Sequence, residues 1–573
     1  MNMKKINCLF LRNCTIEPLE DSLIEYLKKF NIDIKPFFSD YDNIVQASLD
    51  ENFIKKKKID VIVVLLWVPN FSDILANQLQ SSTGKKVNEE IKRHKEFVQI
   101  VSNNLKKIKL PVIWTSSILP NDSVYGFFDY KFKLSYENIQ NILNEDIKKI
   151  IMDKNNFYFF DLSKSENKIG TQNFYDERLW YSIKSPFSYE GFGEIAKNLG
   201  EIFNGIYSKR AKCLVLDCDN VLWGGIVGEN GLANIKIRNP NGDSEYLDFQ
   251  KEVLNLYNSG IILSICSKNN LKDVEDVFKK RKDMLLKLDY FTVVKANWNN
   301  KADNIIEISK ELNIGLDSMV FVDDSKFEIN LIKKFIPEVK TIHLDINESE
   351  KNRQKLLDSK FFTTSNLTNE DKLRNKMYKA EIKRTKLKEK IVNINDYLKS
   401  LDLQIIVRNP NKDDLKRVEQ MTQRTNQFNL TTKRLNEFDV QSLNKSKNHF
   451  IYLLEARDKF GYYGICGLSV INYQNNLASI EIFLMSCRVI GRGIENLFLS
   501  EILKKVSVIQ KKIVKFTAKY LPTKKNSQVE NFYEDNGFSI KSVKNNKKEY
   551  IIKKMDLKKI KQTNHITLKK KFS

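Results

Sequence analysis

Residues 213–231 read CLVLDCDNVLWGGIVGENG, and the reading of the fold turns on this stretch. Its opening residues are a short, continuous apolar run that leads into Asp217 and Asp219, the pattern of a buried strand rather than a helix. Ligands of open α/β sheets collect at the carboxyl ends of such strands. Side chains two residues apart leave a strand on the same side, so both carboxylates reach one pocket. There one carboxylate can attack phosphorus while the other handles the proton of the leaving group. A DxD pair alone is equally a solvated loop after a strand.

The neighbouring segments decide between these. Ile261–Cys266 reads as the next strand and ends in Ser267-Lys268-Asn269-Asn270, a hydroxyl and donors where phosphoryl oxygens would sit. Phe291–Lys295 is a third strand, and Asn297-Trp298-Asn299-Asn300 after it leads to Lys301, a positive charge suited to the same oxygens. Met319–Asp323 delivers Asp323-Asp324, hard oxygen ligands for an octahedral magnesium that keeps several waters. Thr341–Leu344 completes the set.

The order DxD, Ser, Lys, DD resembles the haloacid dehalogenase (HAD) superfamily. The longer runs DCDNVLWGGIVGENG, CSKNN and NWNNKADNI are similar to its FkbH-like branch, subfamily IIIC. The resemblance implies Asp217 as nucleophile, Asp219 as general acid/base, and Ser267 and Lys301 as the phosphoryl-binding pair. It also implies magnesium held by Asp217, the Asp219 carbonyl, Asp323 and Asp324. Val221 departs from the usual Thr, and Ser325-Lys326 after the acidic pair is a second departure. It further implies loading of an acyl carrier protein with a glyceryl thioester from 1,3-bisphosphoglycerate, a phosphorylated small-molecule substrate. Cys218 and Cys266 are then candidate acyl-carrying thiols, and each is equally a small residue packing a strand end.

Working outward, Cys8–Leu11, Val61–Trp67, Val112–Thr115 and Phe157–Leu162 read as strands. They alternate with helical stretches Glu20–Phe30, Val87–Lys106, Tyr136–Met152 and Phe192–Tyr207, which predicts a parallel sheet with crossover helices. The expected architecture is α/β and multidomain. Residues 1–208 form a three-layer, flavodoxin- or SGNH-hydrolase-like domain, and 209–360 a Rossmann-like HAD domain. A solvated helical linker over 361–402 follows, then an α+β domain over 403–556 and a basic, frayed tail over 557–573. The SGNH-like reading of the first domain is degenerate. Arg12-Asn13-Cys14-Thr15 follows its first strand where a nucleophilic Ser is needed, Asp176 has no His after it, and His94 reads as solvated.

The last domain resembles a GNAT-type acyltransferase, on SCRVIGRGIENLF and NFYEDNGF. Arg488, Gly491, Arg492 and Gly493 stand between a strand and a helix, where exposed amides can hold a pyrophosphate. With Tyr533, they are the candidate contacts for coenzyme A or carrier-bound phosphopantetheine. QRTNQFNLTTKR, with Arg424, Asn426, Gln427 and Asn429, is either a groove lining or a capped helix end. Cys487 is a third candidate thiol.

Composition bounds the partners. The net charge of +23 is either lysines spread over solvated faces by a Lys-, Asn- and Ile-heavy composition or the mark of an acidic partner, while no compact basic motif with interleaved aromatics points to nucleic acid. Seven scattered cysteines without a CxxC pair suit a reducing cytosol. MNMKKINCLFL is no signal peptide, and the apolar run Val61–Val68 is too short to cross a bilayer, so a cytoplasmic protein without membrane insertion is expected. The alternative function is a phosphomonoester phosphatase fused to a GNAT domain that acylates another acceptor, such as an aminosugar. A degenerate binding module is disfavoured by the complete acidic set.

Overall fold

The computed structural model describes residues 3–119, 123–152, 154, 156–208, 210–242, 244–363, 369–523, 525–561 and 563–570, and only the backbone at 369–372, 424 and 437. Lys209, the first residue of the expected HAD domain, residues 364–368 of the expected linker and residues 562 and 571–573 of the expected basic tail lie outside the described residues. The chain divides into two compact units, with the break at Lys209/Arg210.

In the first unit, β1 (Lys4–Arg12), β2 (Ile32–Phe38), β3 (Val61–Leu65), β4 (Val112–Thr115) and β5 (Phe157–Phe160) form one sheet in the order β2-β1-β3-β4-β5. Every pairing is parallel. Successive β1 residues alternate between two apolar clusters, Cys8 and Phe10 in one, Leu9 and Leu11 in the other. Both faces are thus covered, which is the three-layer arrangement expected from the alternation. β2 was missed because Lys35 and Pro36 interrupt its apolar run. The helices start earlier than their periodicity suggests: Thr83 caps Gly84–Lys106 and Ser188 caps Tyr189–Tyr207 through side-chain oxygens.

His94 corrects the expectation of a solvated ring. It is fully buried on the helix Gly84–Lys106, its Nε2 lies 3.1 Å from Ser117 Oγ, and its ring stands edge-on to Phe71.

In the second unit, β6 (Cys213–Leu216), β7 (Ile262–Ser267), β8 (Phe291–Ala296), β9 (Met319–Asp323) and β10 (Lys340–His343) form a parallel sheet in the order β10-β9-β6-β7-β8. Crossover helices Glu245–Asn258, Leu271–Lys280, Lys301–Leu312 and Lys326–Phe335 connect them. The same unit holds a mixed sheet of β11 (Leu403–Arg408), β12 (Phe428–Asn429), β13 (His449–Asp458), β14 (Gly461–Gln474), β15 (Leu477–Met485), β16 (Lys515–Tyr520), β17 (Ser539–Lys544), β18 (Lys547–Lys553) and β19 (Ile566–Leu568). The three strands β16–β18 were not predicted, because lysines interrupt their alternation.

Two expectations fail here. The tail is not frayed over its described part: β19 pairs in parallel with β11, and Lys569 N–H donates to Ile405 O. The linker helix, Asn369–Lys390, is not simply solvated. Arg374, Asn375, Met377, Ala380 and Arg384 are all buried. Arg374 and Asn375 donate to Gly260 O and Tyr257 O beside the parallel sheet. Tyr378 and Ile382 pack on that sheet's core, and Arg384 reaches Asp458 of the mixed sheet with a two-pronged contact of 2.6 and 2.8 Å. The buried face is largely polar, so an apolar periodicity could not reveal it.

Two outcomes are expected. Arg384→Met leaves Asp458 buried without its countercharge and lowers the unfolding free energy of the second unit by roughly 3–5 kcal/mol in denaturant titrations. Burial lowers His94 to about 4 from an ordinary 6.5. Its neutral ring therefore supports the fold fully above pH 6.5, and that support is lost as pH falls toward 4. Hydrogen exchange at β4 should report a loss of about 3 kcal/mol of protection over this window in the wild type, and a smaller one in His94→Gln.

Candidate functional site

The carboxyl ends of β6, β7 and β9, with the start of the helix after β8, bring the acidic and basic groups of the sequence motifs together. Lys301, 3% exposed, opens the helix Lys301–Leu312, whose N-cap is Asn300. Its Nζ lies 2.8 Å from Asp217 Oδ2 and 2.6 Å from Asp323 Oδ2. Burial alone pulls the pKa of Lys301 down, but the charges of Asp217 and Asp323 overcome it and hold the ammonium form. Asp323, fully buried, is pushed up to about 7, first by burial and then by the negative charge of Asp217. Burial also raises Asp324.

One carboxylate oxygen from each of Asp217, Asp323 and Asp324 lies within 4.8 Å of the others. Three hard oxygen donors converging beside a single lysine suit a small divalent cation. The Asp217 Oδ1 and Asp323 Oδ1 atoms are oriented by the N–H groups of Cys218 and Ser325, and Asn220 Nδ2 donates to Asp324 Oδ2 at 3.2 Å. Asn220 adopts φ 55°, a left-handed conformation that Asn tolerates well.

Asp219 stands apart from that cluster. Its Oδ1 accepts from Trp223 Nε1 at 2.8 Å and Val227 N–H at 3.1 Å, and its Oδ2 from Asn269 Nδ2 at 2.8 Å. The side chain expected to move a proton is therefore aimed by three donors and is not a metal ligand through its carboxylate. Burial raises its pKa against the pull of those donors. Asn269 also donates to Ser267 Oγ at 3.1 Å, so one amide bridges Asp219 and Ser267. Trp223, Asn269 and Asn220 lie within the sequence motifs, but only the folded geometry shows their partners.

The WGG run has a steric explanation. A Cβ on Gly224 would lie 2.8 Å from Tyr246 Cε2, and Gly225 has φ 93°. The tight turn brings Val227 N–H back onto Asp219. Val221, where the resemblance would put Thr, is buried in the apolar core.

The candidate acyl-carrying thiols do not fit that role. Cys218 and Cys266 are fully buried, and burial raises both thiols, against the opposing charge of Lys301. A buried thiol next to carboxylates is a poor nucleophile. Cys487 is the exposed cysteine.

In the last domain, Gly491 (φ 76°) and Gly493 (φ 78°) shape the turn into the helix Ile494–Ile509. The two arginines face elsewhere. Arg488 donates to Met377 Sδ and Ser486 Oγ, and Arg492 to Glu381 Oε1 at 2.6 Å and to Tyr463 OH. Both are thus committed largely to the bridging helix rather than to an open pyrophosphate seat. Tyr533 is 1% exposed, and its hydroxyl has no hydrogen-bond partner among the described residues. Thr563 Cγ2 lies 2.8 Å from where a Gly493 Cβ would stand, and His565 Nε2 is 2.8 Å from Arg492 O, so the tail crosses this turn.

QRTNQFNLTTKR is both a helix end and a strand. β15 and β16 pair over Leu477–Ile480 and Lys515–Ala518, and beyond that Phe428 and Asn429 pair with Met485 and Leu484. Asn429, fully buried, accepts at its carbonyl from Asn526 Nδ2, and Asn426 Oδ1 accepts from Arg434. Gln427 is exposed, and the side chain of Arg424 lies outside the described residues.

Residues 10–204 match the family model of the FkbH N-terminal domain. The structure is similar to that of the N-terminal part of a Bacteroides fragilis protein, containing a phosphatase domain and complexed with Mg. The identity is 26%, the match covers 64% of this chain and 96% of that one, and the TM-score is 0.55. A spermidine N-acetyltransferase from Vibrio cholerae, in complex with CoA and spermine, matches at 13% identity over 27% of this chain and 97% of its own. Its TM-score of 0.22 is too low to bear on function. No curated protein matches the chain.

Asn220→Gly keeps the left-handed conformation accessible and removes the amide behind Asp324. It is expected to weaken Mg2+ binding roughly 10-fold in calorimetric titration; unchanged affinity would remove Asp324 from the ligand set.

Proposed function

We propose that this chain is a magnesium-dependent HAD-type phosphoryl- and acyl-transfer enzyme that loads a glyceryl unit from 1,3-bisphosphoglycerate, or a related acyl phosphate, onto an acyl carrier protein. Such a step belongs to polyketide-like or surface-glycan biosynthesis, in the cytoplasm. The observation that carries the reading is the buried Lys301, shared by Asp217 and Asp323 at the ends of neighbouring strands, with Asp219 aimed by three donors beside them.

Asp217 Oδ attacks the phosphorus of the ester phosphate, forming an O–P bond as the ester O–P bond breaks. Asp219 delivers the proton to the departing alkoxide and later takes one from the water that hydrolyses the phosphoaspartyl group. Ser267 and Lys301 stabilise the phosphoryl oxygens, and Asn269 holds Ser267 in place. Asp217, Asp323 and Asp324, with the Asp219 carbonyl, would hold Mg2+, which supplies further charge neutralisation there. The Bacteroides neighbour, solved with Mg, supports that choice of ion. The carrier thiolate attacks the acyl carbonyl, and the C–O bond to the acyl phosphate breaks with release of phosphate. Burial of Cys218 and Cys266 supports direct transfer to the carrier without an enzyme thioester at either. The last domain would position the phosphopantetheine arm.

The test is intact-protein mass spectrometry of a pantetheinylated carrier incubated with this protein, Mg2+ and 1,3-bisphosphoglycerate made in situ. The expected result is a glyceryl-sized mass gain on the carrier that Asp217→Asn abolishes. Phosphate release without an adduct would replace this reading with the phosphatase fused to an acyltransferase of another acceptor.

A further inference from the structure

Exposed apolar side chains crowd the edge of the parallel sheet where the carboxylates gather. Ile226 follows β6, Leu271 follows β7, Trp298 follows β8 and Phe327 follows β9, at 38, 46, 70 and 68% exposure. These loops share one end of the sheet, because all its strands run parallel. They are also physically linked. Trp298 Nε1 donates to Asn270 Oδ1 at 3.2 Å, and Lys268 pairs with Glu328 at 2.6 Å. In the order β9-β6-β7-β8, the loops bearing Phe327 and Trp298 are separated by three strand spacings, roughly 14 Å. Asp217, Asp219 and Ser267 lie between those two aromatic residues along the sheet. A large aromatic ring left in water beside a reactive site is unusual for a surface with no partner.

The helix Lys326–Phe335, which begins after Ser325 beside the Asp323-Asp324 pair, carries positive charge from this rim back along the sheet, with Lys333 and Lys334 roughly 11 Å along its axis from Lys326. Its exposed residues are Lys326, Phe327, Asn330, Lys333, Lys334 and Phe335. Its single acidic residue, Glu328, is buried and paired with Lys268. Lys326, Asn330 and Lys333 recur at helical spacing along one side. The helix therefore offers an acidic surface three lysines and two aromatics, with no exposed carboxylate of its own to repel it.

We infer that the rim formed by Trp298, Phe327 and the lysines of the helix Lys326–Phe335 docks the acidic face of the carrier protein. Its thiol arm then enters between the two aromatic residues toward Asp217. The inference rests on the carrier-loading reading and adds the surface that recognises the carrier. Charge complementarity selects an acidic protein over nucleic acid: the basic residues form one short stripe beside a recessed site rather than a track for a phosphate backbone. Docking there would also exclude water from the carboxylates during transfer.

The experiment combines Lys326→Glu, Lys333→Glu and Lys334→Glu in the full chain and measures two rates. One is loading of the pantetheinylated carrier at subsaturating concentration, and the other is Mg2+-dependent phosphate release from 1,3-bisphosphoglycerate without carrier. Expected are a loss of about 10-fold or more in loading, carrier-free release within about 2-fold of wild type, and wild-type loading that falls as salt rises. Trp298→Ala, an exposed substitution, is expected to reduce loading in the same selective way and stands in should the triple variant fail to fold. Equal loading by a folded variant overturns the docking face while leaving the function standing. Phosphate release by the wild type with no loading overturns the function and the docking face together. Carrier loading unchanged in the triple variant, together with loss of the poly(dT) binding shown by the wild type, would assign the stripe to nucleic acid instead.

Discussion

A single ammonium group organises the parallel-sheet half of the second unit. Lys301 is held in the interior by Asp217 and Asp323, each of them also buried, so none of the three can lose its partner without leaving an uncompensated charge in a poor solvent. The three charges come from β6, β9 and the helix after β8, so correct pairing of these elements is a condition for neutralising any of them. With Asp324 added, the carboxylates outnumber the lysine, and the residual negative potential is what makes the place attractive to a dication. Stability and chemistry thus share one set of atoms. The cost of burying the carboxylates is also what keeps them poised to receive positive charge.

The link between the parallel and the mixed sheets is polar in the same way. The helix Asn369–Lys390 joins them through Arg374 and Asn375 on one side and Arg384 on the other, with Tyr378 and Ile382 filling the space against the parallel sheet. Directional contacts of this kind set an orientation more sharply than an apolar seam, which tolerates sliding. Arg488 and Arg492 belong to this joint through Met377 and Glu381. Residues of a motif associated with ligand holding are here also part of how the sheets are coupled.

Most of the gathering of charged residues at the candidate site was legible from sequence because strand ends are local features. A short apolar run followed by acids predicts where Asp217, Asp219, Asp323 and Asp324 emerge, and the order of strands does the rest. The fine aim of Asp219 was not legible. Trp223, Val227 and Asn269 approach it from separate turns, and nothing in their spacing announces a shared acceptor. The same limit explains His94 and the linker helix. A histidine among lysines looks wet until the Phe71 and Ser117 contacts are known, and a helix whose buried side is Arg, Asn and Met has no apolar stripe to find. The choice between the two readings of the thiols needed the fold for a related reason: proximity to Lys301 was readable, but the complete loss of solvent at Cys218 and Cys266, which favours strand-end packing, was not.

The pairing of β19 with β11 joins residues 566–568 to residues 403–405, strands far apart in the chain yet neighbours in the sheet. During synthesis the edge of β11 must wait, with its hydrogen-bonding groups open, until the segment that covers it has left the ribosome. The interval is long compared with the time in which the hairpin β13–β14 can close, so the mixed sheet would assemble from its middle outward and be sealed last at β11. Through that interval an unpaired strand edge is available to other chains. The stretch of lysines around β19 then has a plausible second value, as charge that discourages such pairing while the edge is bare.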